Sequence, residues 1–275
     1  MELQKIRLPC RSRKYEFKLT PIGDMHIGAA GCDEDALKRA CDMIAAEENH
    51  YTILMGDHID AVQQDDKRWD DKSIAEWLYD PACRARVAES QRDRFHDIIK
   101  RVPASRILGV HEGNHELTVR SRHYLDITLD TCRTFGLKYL GQEAFTRLIF
   151  ERKRANDGSR PATSSFDIFS THGNGGGRKP GAKVNKIMDL GGFIEADIYL
   201  MGHVHERGCI KSPLLHFDKG GNLKSRERVY VLTGTFLKTY HSSNSYGARA
   251  LYPPVSIGPI TITIKPDTRD VRATV

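Results

Sequence analysis

Tyr51-Thr52-Ile53-Leu54-Met55-Gly56-Asp57 is the stretch whose reading decides the fold. An apolar, aromatic and β-branched run, with no polar alternation, leads straight into a glycine and a carboxylate. A strand with no solvent face belongs at the centre of a sheet that is covered on both sides. The same pattern recurs along the chain. Residues 17–22 run into Gly23-Asp24, and residues 106–110 precede Gly113-Asn114-His115-Glu116. Residues 166–171 run into His172-Gly173, and residues 197–201 into Gly202-His203. Each run is short and bounded by glycine or a polar residue, as buried central strands are.

Helical periodicity fills several of the gaps. Residues 35–48 put Ala36, Leu37, Ala40, Cys41 and Ile44 on one face, with Asp33 as the cap. A longer helical stretch over 73–101 breaks at Asp80-Pro81, because proline disfavours helix in the residue before it. The pattern predicts a third helix over 122–135, capped by Gly136, a short helix ending at Leu190, and further strands over 228–232 and 260–264. Residues 152–165 read as a polar loop. Strands alternating with helices early and strands dominating late define an α/β chain with a mixed sheet core flanked by helices. No repeat and no composition shift marks a boundary. The expectation is one domain over 1–275, with a helical insertion around 61–102 and a strand-rich C-terminal segment around 207–275. Trp69 and Trp77 are expected to pack the insertion onto the body.

Composition is that of a globular protein, with 39% apolar and 28% charged residues. No stretch approaches the roughly 20 apolar residues that a membrane-spanning helix needs, and residues 1–17 lack the pattern of a secretory signal. The six cysteines show no C-x-x-C pairing, which argues against a zinc knuckle or a disulfide framework and predicts small buried side chains in a reducing cytoplasm. A net charge of +6 permits an anionic substrate without requiring one.

The polar residues beyond the strand ends carry the chemistry. Asp24, His26, Asp57, Asn114, His172, His203 and His205 each sit beside a glycine or in an Asp-x-His or His-x-His pair. Any one of them alone is an ordinary turn or structural residue. Their ordered recurrence after successive strands is what matters, because strand C-termini in α/β proteins gather side chains from distant sequence into one cleft. Mixed imidazole and carboxylate ligands suit ions such as Mn, Fe and Zn. Seven donors are too many for one ion and suit two. Two-metal sites hold their ions about 3.5–4 Å apart around a shared oxygen, and Asp57 is the natural bridging carboxylate.

These residues resemble the calcineurin-like metallophosphoesterases, whose motifs run D-x-H, G-D, G-N-H-D/E, H and G-H-x-H. Here they stand as Asp24-Met25-His26, Gly56-Asp57, Gly113-Asn114-His115-Glu116, His172 and Gly202-His203-Val204-His205. The resemblance implies a four-layer sandwich, two packed mixed sheets with helices outside. It implies two divalent metal ions, manganese foremost, with Fe, Zn, Ni and Mg as alternatives. Asp24, His26, Asp57 and His205 would hold the first, and Asp57, Asn114, His172 and His203 the second. It further implies that His115 protonates the leaving oxygen, that Glu116 orients His115, and that a metal-bridging hydroxide attacks phosphorus without a covalent intermediate. No Asp-Arg-Gly follows the second motif, unlike the Ser/Thr protein phosphatases, and the Asp-Met-His-Ile-Gly start is more similar to the nuclease and nucleotidase branch. The run after His172 also resembles phosphoesterases of phage genomes.

The glycine-rich segment 175–186 comes directly after His172 and carries Arg178, Lys179 and Lys183, expected to bind the substrate phosphate. The function expected of these residues is that of a phosphodiesterase acting on DNA, RNA or nucleotides. Its rivals are a phosphomonoesterase and a non-catalytic protein-binding scaffold. His58 and His111 are read as structural, Asp60 as a turn residue or a hydrogen-bond acceptor beside the site, and residues 233–254, rich in tyrosine, as candidates for the cleft rim.

Overall fold

Strands buried on both faces must send alternate side chains into different cores, and the central strands here do so. The computed structural model describes residues 1–66, 69–152, 162–218, 220–240 and 251–274. Its strands are β1 (Glu2–Pro9), β2 (Phe17–Leu19), β3 (His50–Leu54), β4 (Ile107–His111), β5 (Tyr139–Gly141), β6 (Glu143–Arg152), β7 (Ala162–Thr171), β8 (Ile198–Met201), β9 (Arg207–Phe217), β10 (Leu223–Thr233), β11 (Thr261–Lys265) and β12 (Asp270–Thr274). They form two six-stranded mixed sheets, ordered β1-β6-β7-β8-β10-β9 and β12-β11-β2-β3-β4-β5. Ile53, Ile168, Leu200, Val229 and Val231 meet in the core between the sheets. Their neighbours Leu54, Phe169, Tyr199, Tyr230 and Leu232 turn outward to the helical layers.

Helices α1 (Glu34–Ala46), α2 (Pro81–Arg84), α3 (Val87–Ile99), α4 (Asn114–His123), α5 (Ile127–Phe135) and α6 (Pro180–Leu190) complete the fold. Leu37, Ile44, Phe95, Ile98 and Ile127 of α1, α3 and α5 cover one sheet, and Ile187 of α6 the other. The architecture is therefore an α/β sandwich of two packed mixed sheets flanked by helices: the strand pattern predicts the mixed sheet and its helices, and the resemblance implies the packing of two sheets. Asp33 caps α1 by accepting from Ala36 N at 2.9 Å. Asp80 caps α2, with Pro81 in its first turn, so the helical stretch over 73–101 does break at Asp80-Pro81. Trp77 donates to Glu34 of α1 (3.2 Å) and packs among buried residues of both the insertion and the body, whereas Trp69 packs with Ile74, Leu78 and Val87.

Three expectations need correction. The helix predicted over 122–135 begins only at Ile127; Tyr124 is left-handed (φ +56°) and ends the preceding α4. The polar loop predicted over 152–165 is strand at Arg152 and from Ala162, where β6 and β7 pair antiparallel, while 153–161 lie outside the described residues. All six cysteines are free thiols, but only Cys10, Cys41 and Cys132 are buried; Cys32, Cys83 and Cys209 are half-buried. No helix among the described residues is long and apolar enough to cross a membrane.

Candidate metal centre

β2, β3 and β4 are adjacent and parallel in one sheet, and β7 and β8 in the other, so the loops beyond their carboxyl ends meet. Backbone contacts pin them together. Asp24 N–H donates to Gly56 O (3.0 Å), and Met25 and His26 N–H both donate to Asp57 O (2.9 and 3.1 Å). His203 N–H donates to Asp24 Oδ2 at 2.9 Å, joining the two sheets, and His172 Nδ1–H donates to Met55 O at 2.8 Å. Gly56 has φ +90°, and a side chain there would come within 2.7 Å of Gly113 N and His172 Nδ1. Glycine before the carboxylate is thus required by both dihedral and space.

The loops hold their side chains at a backbone cost. Asp24 (φ +48°), His26 (+50°), Asp57 (+49°), His203 (+67°) and His205 (+51°) are all left-handed. Each such non-glycine residue costs about 1–3 kcal/mol and persists only where its surroundings over-determine it. Glu116 supplies part of that restraint. Its buried carboxylate accepts N–H bonds from Asp57 (3.0 Å), His58 (2.7 Å), Ile59 (3.1 Å) and Gly113 (3.0 Å). Burial and the nearby Asp57 charge raise the Glu116 pKa.

The side chains converge in overlapping groups. Asp24, His26 and His205 place one donor atom each within 4.8 Å of one another, and so do Asp57, His172 and His203. Asp57 also groups with His26 and His115, so it borders both sets. His26 Nε2 lies 3.0 Å from His205 Nε2, and His205 Nε2 3.3 Å from Asp24 Oδ1. His172 Nε2 lies 3.3 Å from Asp57 Oδ2 and 3.0 Å from Asn114 Oδ1. All seven residues predicted from the sequence are therefore at one place.

The electrostatics are those of buried carboxylates short of positive charge. Burial works to raise the Asp57 carboxyl, but the charge of His115 and the hydrogen bond and charge of His172 hold it well below its ordinary range. Burial likewise opposes charging His172, yet the Asp57 hydrogen bond and charge lift its pKa to about 9. His26 and His203 are kept neutral, chiefly by burial. His26 Nδ1 and His203 Nδ1 are buried without a hydrogen-bond partner among the described residues. Neutral imidazoles and ionised carboxylates aimed at a common point are the donor set divalent cations take. The His/Asp groups are compatible with metal binding.

Two expected contacts are built differently. Glu116 braces the loops instead of touching His115. The His115 ring is held by its Nδ1–H, which donates to the carbonyl of Asp60, leaving Nε2 3.9 Å from Asp57 Oδ2. Burial opposes charging His115, but Asp57 and Asp60 raise its pKa overall. Lys183, expected to bind substrate, is buried with Nζ 3.0 Å from Glu206 Oε2. Arg178 places its guanidinium 5.6 Å from the Tyr252 ring centre, and Lys179 is exposed at the cap of α6.

Asp60, read as a turn residue or an acceptor beside the site, places Oδ1 3.6 Å from His26 Nδ1. Sequence reading missed other supports. Arg120 on α4 clasps the buried Glu112 through two bonds (2.8 and 2.9 Å), tying the helix that carries Asn114 and His115 to β4. Thr235 Oγ1 donates to Asp24 O at 2.8 Å. Thr235 was findable: Gly234 follows the apolar run of β10, the same strand-then-glycine pattern as beside Asp24, Asp57 and His203. His58 and His111 do serve structure. His58 stacks on Phe95, and His111 bonds Gly141 O (3.0 Å) and Ser170 Oγ (2.8 Å).

No family model matches the chain, and no curated protein does. Among solved structures, the chain is similar to a conserved uncharacterized protein, a predicted phosphoesterase, from Streptococcus pneumoniae TIGR4. Identity is 12%, coverage is 91% of this chain and 84% of that one, and the TM-score is 0.34. So loose a likeness carries no argument, and the function is argued from the geometry of the site.

Proposed function

We propose that this chain is a phosphoester hydrolase that works with two divalent cations, manganese foremost, on a phosphodiester of nucleic acid or of a nucleotide. The observation that carries the reading is the meeting of the two donor groups, Asp24-His26-His205 and Asp57-His172-His203, with Asp57 bordering both. Asp24, His26, Asp57 and His205 would hold one cation, and Asp57, Asn114, His172 and His203 the other. Two cations there would supply Lewis acidity toward the phosphoryl oxygens and lower the pKa of a water.

The protein's own groups do the rest. Asp57 stays ionised although buried, so it is ready as the shared ligand. His115 presents Nε2 toward the centre because its Nδ1–H is fixed by the Asp60 carbonyl. With its pKa raised, it carries the proton that a departing alkoxide needs. Glu116 keeps the Asp57 turn in place and acts through that turn. Arg178 and Lys179, on the loop that leaves His172, offer positive charge to an anionic substrate and favour nucleic acid over a neutral ester.

The test is hydrolysis of bis-(4-nitrophenyl) phosphate against 4-nitrophenyl phosphate with Mn²⁺, followed by labelled single- and double-stranded DNA, RNA and cyclic nucleotides. Faster turnover of the diester, with cleavage of a nucleotide substrate, is the expected result. Preference for the monoester would replace it with a phosphomonoesterase. Binding of metal with no turnover of any ester would leave a scaffold.

A further inference from the structure

Two chain paths lead away from residues of the candidate metal centre and meet each other. The first leaves His172 through the glycine loop to Arg178 and enters α6. That helix is tied back to the centre, because Lys183 Nζ sits 3.0 Å from Glu206, the neighbour of His205. The second path leaves β10. Thr235 Oγ1 and Phe236 N–H both donate to Asp24 O (2.8 and 3.0 Å), and Lys238 N–H donates to Gly31 O (2.9 Å), which brings the chain to Tyr240. Gly258 N–H donates to Thr235 O at 2.9 Å, so the segment carrying Tyr252 returns to the same strap. The paths close on each other: Tyr240 Oη–H donates to Tyr252 O at 2.7 Å, and the Arg178 guanidinium lies 5.6 Å from the Tyr252 ring centre.

Tyr240 is 52% exposed and Tyr252 37% exposed, yet each is fixed through its backbone or hydroxyl. Aromatic rings and guanidinium planes held beside a phosphoester site are surfaces on which an unpaired base stacks, worth about 1–3 kcal/mol per base. A guanidinium over a tyrosine ring adds a positive charge at the same place, toward the phosphate end of a nucleotide.

We propose that Arg178, Tyr252 and Tyr240 form a nucleobase-stacking subsite on the rim of the metal centre, which holds the base of the nucleotidyl unit next to the scissile phosphate. The inference rests on the hydrolase reading for its substrate and on the junction's geometry for its ligand. It sets a specificity: esters that carry a base bind better than esters that lack one. A mere structural clasp between loop and tail would weaken both kinds of ester alike.

The experiment compares thymidine 5′-(4-nitrophenyl) phosphate with ethyl 4-nitrophenyl phosphate, which share phosphorus chemistry and leaving group. The wild type should prefer the thymidine ester, mainly through KM. Tyr252→Leu and, as an exposed second variant, Arg178→Gln should each cut that preference by about 5- to 150-fold. Equal losses on both esters, or no preference in the wild type, overturn the subsite. Binding is read separately by titrating the metal-loaded protein with adenosine monophosphate and with ribose 5-phosphate. Tighter binding of the former, lost in Tyr252→Leu, supports the subsite even if neither ester turns over, an outcome that would sink only the hydrolase reading. Equal affinities for the two overturn the subsite even if both esters are cleaved.

Discussion

The two ends of β3 put buried histidines into opposite states. At the amino end, His50 lies with Nε2 2.7 Å from Thr20 Oγ1, which in turn is 2.8 Å from Thr261 Oγ1. Its hydrogen bond there is to a hydroxyl, and burial outweighs the nearby Glu47 charge and lowers its pKa to about 4, so the ring is neutral. Beyond the carboxyl end, His172 is as deeply buried but faces the Asp57 carboxylate, and its pKa rises to about 9. Burial alone therefore does not distinguish a site from a core. What distinguishes it is buried negative charge that the protein balances only with a proton, which a cation can displace.

Asp57→Asn breaks the comparison most severely. It removes the shared carboxylate and the reason for His172 to stay charged, so the His172 pKa should fall toward that of His50. Activity with Mn²⁺ should drop about 10³-fold or more. Metal content and an NMR titration of His172 check both halves, and a variant that keeps two tightly bound ions contradicts the shared role of Asp57. Next in size is His115→Ala, expected to cost roughly 10²–10⁴-fold on an alkyl ester. The loss should be far smaller for 4-nitrophenolate, which needs no proton to depart. Equal losses on the two leaving groups would remove His115 as the acid.

Metal loading sharpens the same contrast without a mutation. His172 must lose its proton to become a ligand, so loading at neutral pH should release about one proton from it. Affinity should rise with pH and level off above about 9, where His172 is largely deprotonated without the metal. Calorimetry in buffers of different ionisation enthalpy measures the release, and its absence would show that His172 is not charged before loading.

The smallest effect belongs to the other end of the strand. The folded pKa of His50, about 4, lies below the unfolded value near 6.5. The unfolded chain therefore binds more protons between these values. Stability from the neutral ring is complete above about pH 6.5 and is lost as pH falls toward 4. His111, held near 3 by burial, adds to the same acid limb. His50→Gln should flatten that limb by roughly 2–4 °C in Tm, measured by thermal unfolding across pH 4–7.

Legibility in the sequence has the same physical origin. β3 and β8 stand out because nearly every residue on both faces is buried, so their apolar runs are almost uninterrupted. β6 hides because it alternates: Ala144, Thr146, Leu148 and Phe150 are buried while Glu143 and Arg147 are exposed. α4 leaves no apolar stripe, since only Glu116 and Val119 of its ten residues are buried. It carries Asn114 and His115, yet its signal was the Gly-Asn-His-Glu motif and not periodicity. All seven proposed ligands were legible because each follows a strand end. The bracing was not, because Glu116, the Asp60 carbonyl and the Arg120–Glu112 clasp work through backbone groups and tertiary contacts that no local pattern records.

The left-handed backbone at Asp24, His26, Asp57, His203 and His205 also limits how the centre can change. Among residues with a Cβ, aspartate, asparagine and histidine enter that region most readily, and β-branched residues are outliers. Exchanges within the trio keep the loops on their path, so the hardness of the donor set can drift by single substitutions between imidazole, carboxylate and amide. A thiolate or a longer carboxylate would bring a backbone penalty along with its new chemistry. The loops thus act as a filter on descent, open to retuning among borderline and hard cations and resistant to conversion into a soft-metal site.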